Sequence, residues 1–216
     1  MSTGSGLRER KKQQTRRLLA DTARRLFAER GFEQVSVAEI ARQADVSEAT
    51  VFNYFPTKED LVYSGLEAFE DEMLAAVRNR ASGESILDAF GRFVLQARGF
   101  LASPDDRAAA ALYEISRMIA ESPTLLAREQ QILARYTDSL TQLIAAETHT
   151  ADDDPRPAVI AATLIGLHRA LVEHVRRQIL AGNHDLPQIA RSTKTAGRKA
   201  LTLLQTGLDD YGRKRR

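Results

Sequence analysis

Residues 36–61, SVAEIARQADVSEATVFNYFPTKEDL, decide the reading of this chain. Ser36 can cap a helix, and Glu39 three residues later can close a capping box. Val37, Ile40, Ala41 and Ala44 then follow at helical spacing. The helix stops at Asp45-Val46-Ser47, because Asp tolerates a left-handed backbone and Ser47 suits the N-cap of a new helix. That second helix runs from Glu48 to about Phe55 and ends at Pro56. Two short helices joined by so tight a turn match a helix-turn-helix, whose second helix enters the DNA major groove. Spacing alone also fits an ordinary helical hairpin.

The faces of the second helix separate the two readings. Val51 and Phe55, four apart, can point inward with Val46, leaving Glu48, Ala49, Thr50, Phe52, Asn53 and Tyr54 on other faces. Hydroxyls and a carboxamide on a helix surface can bond phosphates and base edges, and Asn can read adenine through two hydrogen bonds. Thr57 starts the next helix, with Asp60 three residues on. Lys58 in its first turn suits a phosphate.

VSEATVFNYFPTKEDL resembles the signature of TetR-family transcriptional regulators. In that family a Val-Ser turn leads into a Thr-x-x-x-Tyr-Phe recognition helix, and a Lys-Glu pair opens the fourth helix. Phe27, Gly31, Phe32, Val37, Ile40 and Ala41 also fall where the family places its core, so the resemblance covers roughly residues 8–63. It departs at Asp45 and Ala49, where many members carry glycine. The resemblance implies DNA contacts at Ser36, Ser47, Glu48, Ala49, Thr50, Phe52, Asn53, Tyr54 and Lys58.

Composition sets the outer bounds. With 216 residues and 43% hydrophobic content, the chain can bury one long core or two small ones. No window reads as apolar for long enough to span a membrane. The start, MSTGSG, reads as a disordered leader. Absence of cysteine excludes disulfides and thiolate chemistry, and fits a cytoplasmic protein. The net charge of +2 is unevenly spread: residues 1–56 hold ten Lys/Arg against seven Asp/Glu, and residues 191–216 hold eight against two. Arg8, Arg10, Lys11, Lys12, Arg16 and Arg17 form a basic arm that suits phosphate contacts. The basic end, Arg213 to Arg216, reads as a solvated tail.

Residues 8–30 form the first helix, with Gly31 as its C-cap. The next long helix is expected from Lys58 to about Arg80, a rod of roughly 34 Å joining two regions. Beyond it one grammar repeats, a polar cap and often a proline before an amphipathic run. Ser85 precedes a helix reaching Leu101, and Ser103-Pro104-Asp105-Asp106 precedes the next. Ser122-Pro123, Asp154-Pro155 and Asp185-Leu186-Pro187 open three more, the last reaching about Tyr211. The fold is therefore all-α with about nine helices. It has an N-terminal arm and three-helix DNA-binding unit over 1–56, then a helical effector-binding and dimerisation domain over 57–216.

Residues 156–181 are apolar over a wide arc, and the last helix alternates bulky with small residues, including Gly197 and Ala200. Both patterns fit a four-helix bundle shared by two protomers, which is also where TetR-family members dimerise. Two-fold symmetry makes the expected operator roughly palindromic double-stranded DNA.

No residues carry a catalytic or metal pattern. His149, His168, His174 and His184 lack ligand spacing, and Asp152-Asp153-Asp154 reads as helix-capping acid. No nucleophile elbow or phosphate loop appears, so neither an enzyme, a metal nor a cofactor is expected. Phe69, Met73, Phe90, Phe93, Tyr113, Met118, Tyr136, Leu140, Ile165 and His168 can converge between the middle helices, as a solid core or around a cavity. The resemblance favours a cavity for a small, largely apolar effector. Phe69, Met73, Phe93, Tyr113, Ser116, Tyr136, His168 and Arg169 are the candidate contacts. The sequence thus reads as a DNA-binding transcriptional regulator, a repressor released by an effector. A structural, nucleoid-type DNA-binding dimer without a ligand is the alternative.

Overall fold

Polar caps divide the chain into helices largely where the sequence places them. A computed structural model describes residues 3–207 apart from 65, 104, 106 and 152. Within the described residues there are ten α-helices, one short 3-10 turn and no strand. They are α1 (Thr3–Arg30), α2 (Val37–Gln43), α3 (Glu48–Tyr54), α4 (Lys58–Val62) and α5 (Leu66–Arg78). Then come α6 (Ile86–Val94), the 3-10 turn Gly99–Ala102, α7 (Ala108–Glu121), α8 (Pro123–Thr148), α9 (Arg156–Leu180) and α10 (Leu186–Thr206). Packing groups Met1–Glu67 with Arg117–Arg128 as one unit, and Ala68–Ser116 with Glu129–Arg216 as the other.

In the first unit, α1 packs against α2 and α4, and α2 against α3. Leu19, Ala23, Phe27, Phe32, Val35, Ile40, Val51, Phe55 and Leu61 fill its core. Phe27 and Phe32 tilt against each other at 5.2 Å between ring centroids, with Gly31 between them at φ 83°. That left-handed turn lets Phe32 fold back under α1 after the helix ends. The end of α7 and the start of α8 belong to this unit too. Ser122 Oγ donates to Glu33 at 2.9 Å, Tyr63 Oη donates to the Leu125 carbonyl at 2.9 Å, and the Arg128 guanidinium forks onto Asp60 at 2.7 and 2.9 Å.

Several expectations need correction. The rod from Lys58 to Arg80 is two helices, because α4 ends at Val62 and α5 begins at Leu66. Ser64 and Gly65 are poor helix formers, and Tyr63 is held by its bond to Leu125. The helix after Ser85 stops at Val94 rather than reaching Leu101, and α7 starts only at Ala108, after a chain segment bonded through Ser103 and Asp105. The expected cap residues Pro104 and Asp106 lie outside the described residues. So do Asp152, the tail Arg213 to Arg216, and the last residues of the helix expected to reach Tyr211. Thr3 to Gly6, read as a leader, belong to α1: the strong helix formers behind them extend an existing helix without a new nucleation step.

In the second unit, α10 packs on α9, α6 and the 3-10 turn. Glycine permits two of these approaches. A Cβ on Gly197 would stand 2.3 Å from Leu95 Cδ2, and one on Gly91 2.7 Å from Leu201 Cδ1. Gly197 therefore serves close packing within its own protomer. Arg176, only 8% exposed, lies between Glu129 at 2.6 Å and Glu173 at 2.5 Å. Arg176→Met should destabilise the protein by about 3–5 kcal/mol, because it strands the half-buried Glu129 without a cation. Adding Glu129→Leu should restore most of that loss, as urea unfolding of the single and double variants would show.

Candidate nucleic-acid interface

Two caps and one buried edge build the α2–α3 element. Ser36 Oγ accepts from Glu39 N–H at 3.2 Å, and Ser47 Oγ accepts from Thr50 N–H at 3.1 Å. The reciprocal half of the expected capping box at Ser36 is not made: the Glu39 carboxylate pairs instead with Arg30, nine residues back on α1. At Thr57 both halves are made, with Thr57 N–H donating to Asp60 Oδ2 at 3.1 Å. Asp45 takes φ 54°, as the tight turn requires, so a non-glycine residue serves there.

Helix α3 has two unlike sides. Val51 and Phe55 at its C-cap are each 1% exposed and anchor it. Glu48, Ala49, Phe52 and Asn53 are exposed and run side by side around its outer surface. Thr50 and Tyr54 are half-buried between those sides, and the hydroxyls of Thr50 and Ser47 lie 2.9 Å apart. Ser36 is exposed at the start of α2. The structure thus brings all the expected DNA-contacting residues of α3 onto or beside one accessible surface.

Two cations take positions that the sequence did not reveal. Arg16 lays its guanidinium over the Phe55 ring at 4.6 Å and donates to the Tyr54 carbonyl at 3.1 Å. It fastens the C-terminal end of α3, where free carbonyls attract positive charge. Lys58 Nζ donates to the carbonyls of Phe32 and Val35 at 2.9 and 3.2 Å, and sits 4.1 Å over the Phe32 ring. Both contacts join residues far apart in the chain, and no spacing signal announces them. Arg10, Lys11, Lys12 and Arg17 are exposed along α1.

In the second unit, four of the candidate effector residues meet. The Phe69 ring packs on Phe93 at 5.2 Å, Tyr136 at 5.6 Å and His168 at 4.6 Å between centroids. Met73 is fully buried. Tyr113 belongs to a different cluster: it packs with Ala108, Ile179, Leu186 and Ile189, and its ring faces His184 at 6.1 Å. Arg169 is exposed, and Ser116 is buried. A groove of about 580 Å³ lies elsewhere in this unit, lined by residues that include Leu95, Leu101, Thr193, Lys194 and Arg198. The sequence reading included none of these among its candidate contacts.

Burial lowers the His168 imidazole from 6.5 to about 4, so it is neutral at physiological pH. The unfolded chain then binds the proton more readily than the folded one. Stability should fall as pH drops below about 6.5 and level off near 4, with a loss of at most about 3 kcal/mol. Urea midpoints measured between those limits should drop less for His168→Phe than for the unmodified chain.

A profile described as "Bacterial regulatory proteins, tetR family" matches residues 19–63, and one described as "MftR C-terminal domain" matches residues 84–193. The HTH-type transcriptional regulator TcmR of Streptomyces glaucescens is 30% identical over 196 residues, covering 89% of this chain and 85% of that protein. An HTH-type transcriptional repressor of Mycobacterium tuberculosis is 31% identical over 79% of this chain and 89% of its own length. NalD is the secondary repressor of the MexAB-OprM multidrug efflux pump in Pseudomonas aeruginosa. Its crystal structure shares the fold, with a TM-score of 0.54 and 18% identity over 87% of this chain and 97% of that one. With its capped two-helix element and a profile match to each half, the chain belongs to the TetR family of bacterial transcriptional regulators.

Proposed function

We propose that the chain is a cytoplasmic homodimeric repressor that holds a roughly palindromic operator and releases it when a small, largely apolar effector binds. The observation that carries DNA recognition is the division of α3 into a buried edge, Val51 and Phe55, and an exposed surface containing Asn53. Residues 1–56 supply that surface, and residues 57–216 sense and dimerise. The Mycobacterium tuberculosis relative is a repressor, which supports the same sign of control here. No metal or cofactor enters this scheme.

The apolar character of α9 supports dimerisation. Contrary to the sequence expectation, this helix is long and apolar enough to cross a membrane. Most of its apolar length is not buried within the chain, and Val159 and Ile160 are 61% and 41% exposed. Val159, Ala162, Thr163, Gly166 and Ala170 recur at helical spacing on its exposed side. Small residues at that spacing let a second helix approach closely, and burial against another protomer removes the apolar surface from water.

The effector region is best placed at Phe69, Phe93, Tyr136 and His168, whose rings already meet, together with the fully buried Met73. Tyr113, Ser116 and Arg169 remain further contacts for a ligand that reorganises this unit. Response would travel through α8, which holds Tyr136 and also carries Arg128, the partner of Asp60 in α4. An effector shifts the equilibrium only by its preference for one conformation over the other. Coupling of about 1–3 kcal/mol would weaken operator binding by about 5–150-fold.

Titration against an operator duplex and a scrambled duplex tests the reading. Asn53→Ala should cost about 1–3 kcal/mol on the operator and relax one base position. Lys58→Ala should weaken both duplexes alike and lower the salt slope by about one unit. An unchanged slope would leave Lys58 only its observed role as a clamp on the Phe32 and Val35 carbonyls.

Gly166→Glu tests the dimer. A Cβ at Gly166 meets nothing within 4 Å in the protomer, so the substitution should leave the fold intact. It should yield a monomer in light scattering, because an interface would bury an unpaired carboxylate. A Gly166→Glu dimer as tight as the unmodified one would remove α9 from the interface.

A further inference from the structure

The outer surface of α3 carries a chemical statement about the operator. Its sequence, EATVFNY, contains no cation, and Glu48 on the exposed side repels phosphate. That side is therefore unsuited to clamp the DNA backbone. What it presents instead is Ala49 in the middle, with Phe52 and Asn53 flanking it one turn on, at i+3 and i+4.

Phe52 is 46% exposed, and it is the one aromatic residue among the large apolar side chains exposed in the described residues. Val51 and Phe55 are 1% exposed and anchor the helix, so the Phe52 ring is not needed to hold α3 in place. A phenyl ring on a DNA-facing surface without a hydroxyl cannot hydrogen-bond a phosphate or a base edge. In the major groove the apolar feature available to it is the C5-methyl group of thymine. Ala49 adds a methyl of its own to the same patch, and its small size lets the helix backbone come close to the groove floor. Asn53, adjacent and exposed, has the carboxamide that pairs with adenine N6 and N7.

We infer that Phe52, with Ala49, is a specificity-determining residue that reads a thymine methyl beside the adenine read by Asn53, so that each half-site contains an A·T-rich step under α3. This rests on the DNA-binding function proposed above and names the base chemistry that the function selects.

The test uses the full-length dimer and an operator recovered by selection from randomised duplexes. Each thymine of one half-site is replaced in turn by deoxyuridine, which removes the methyl and keeps every hydrogen bond. One such position should weaken binding of the unmodified protein about fourfold, the effect of one buried methyl-sized group. Phe52→Ala should bind the thymine operator more weakly, and for it the same deoxyuridine replacement should make no further difference. Phe52→Leu, which keeps an apolar side chain, should retain part of the discrimination. Thermal melting of each variant separates loss of contact from loss of fold. The inference is overturned if no thymine replacement affects the unmodified protein, or if the penalty persists in Phe52→Ala. Failure to select any preferred duplex would instead reject the DNA-binding function itself, so the two failures are distinguishable.

Discussion

A helix of seven residues cannot hold itself together in water, and the recognition helix has only seven. Its geometry depends on how its two ends are fastened. At the N-terminal end Ser47 accepts the Thr50 N–H, replacing one lost backbone partner. At the other end Phe55 is buried, and Arg16 covers its ring while bonding the Tyr54 carbonyl. Without these anchors the exposed side chains would have no fixed register, and positioning within a fraction of an ångström is what base reading needs. The rest of the first unit supports those anchors: α1 supplies Arg16, and Lys58 ties down the Phe32–Val35 loop that leads into α2.

How much of this could be read in advance follows from distance along the chain. Caps act over three or four residues, so Ser36, Ser47, Thr57, Asp185 and the left-handed Asp45 were legible from local chemistry. The buried faces of α2 and α3 were legible for the same reason, since periodicity assigns Ile40, Val51 and Phe55 to one side. Contacts across long separations were not. Arg128 meets Asp60 across 68 residues and Arg176 meets Glu129 across 47, and neither pair leaves a periodic trace. Lys58 illustrates the limit well: its type and place suggested a phosphate, but nothing in the sequence announced its bonds to two carbonyls of the preceding loop.

The second unit was legible in kind more than in detail. Aromatic residues were expected to converge, and Phe69, Phe93, Tyr136 and His168 do. Tyr113 joins another cluster because α7 presents it toward Ile179 and Ile189. The break between Val62 and Leu66 removes the single stiff rod that a continuous apolar stripe suggested. Helix α8, by contrast, is continuous from Pro123 to Thr148 and holds both Leu125 and Tyr136.

The central claim is that two copies of α3, related by the symmetry of a dimer, read two half-sites of one operator. Footprinting of the purified protein on its selected duplex tests this most directly. The account predicts two protected patches related by a dyad, with centres one helical turn or a multiple of it apart, each turn being about 34–36 Å. A single protected patch, or uniform protection along the duplex, would contradict it.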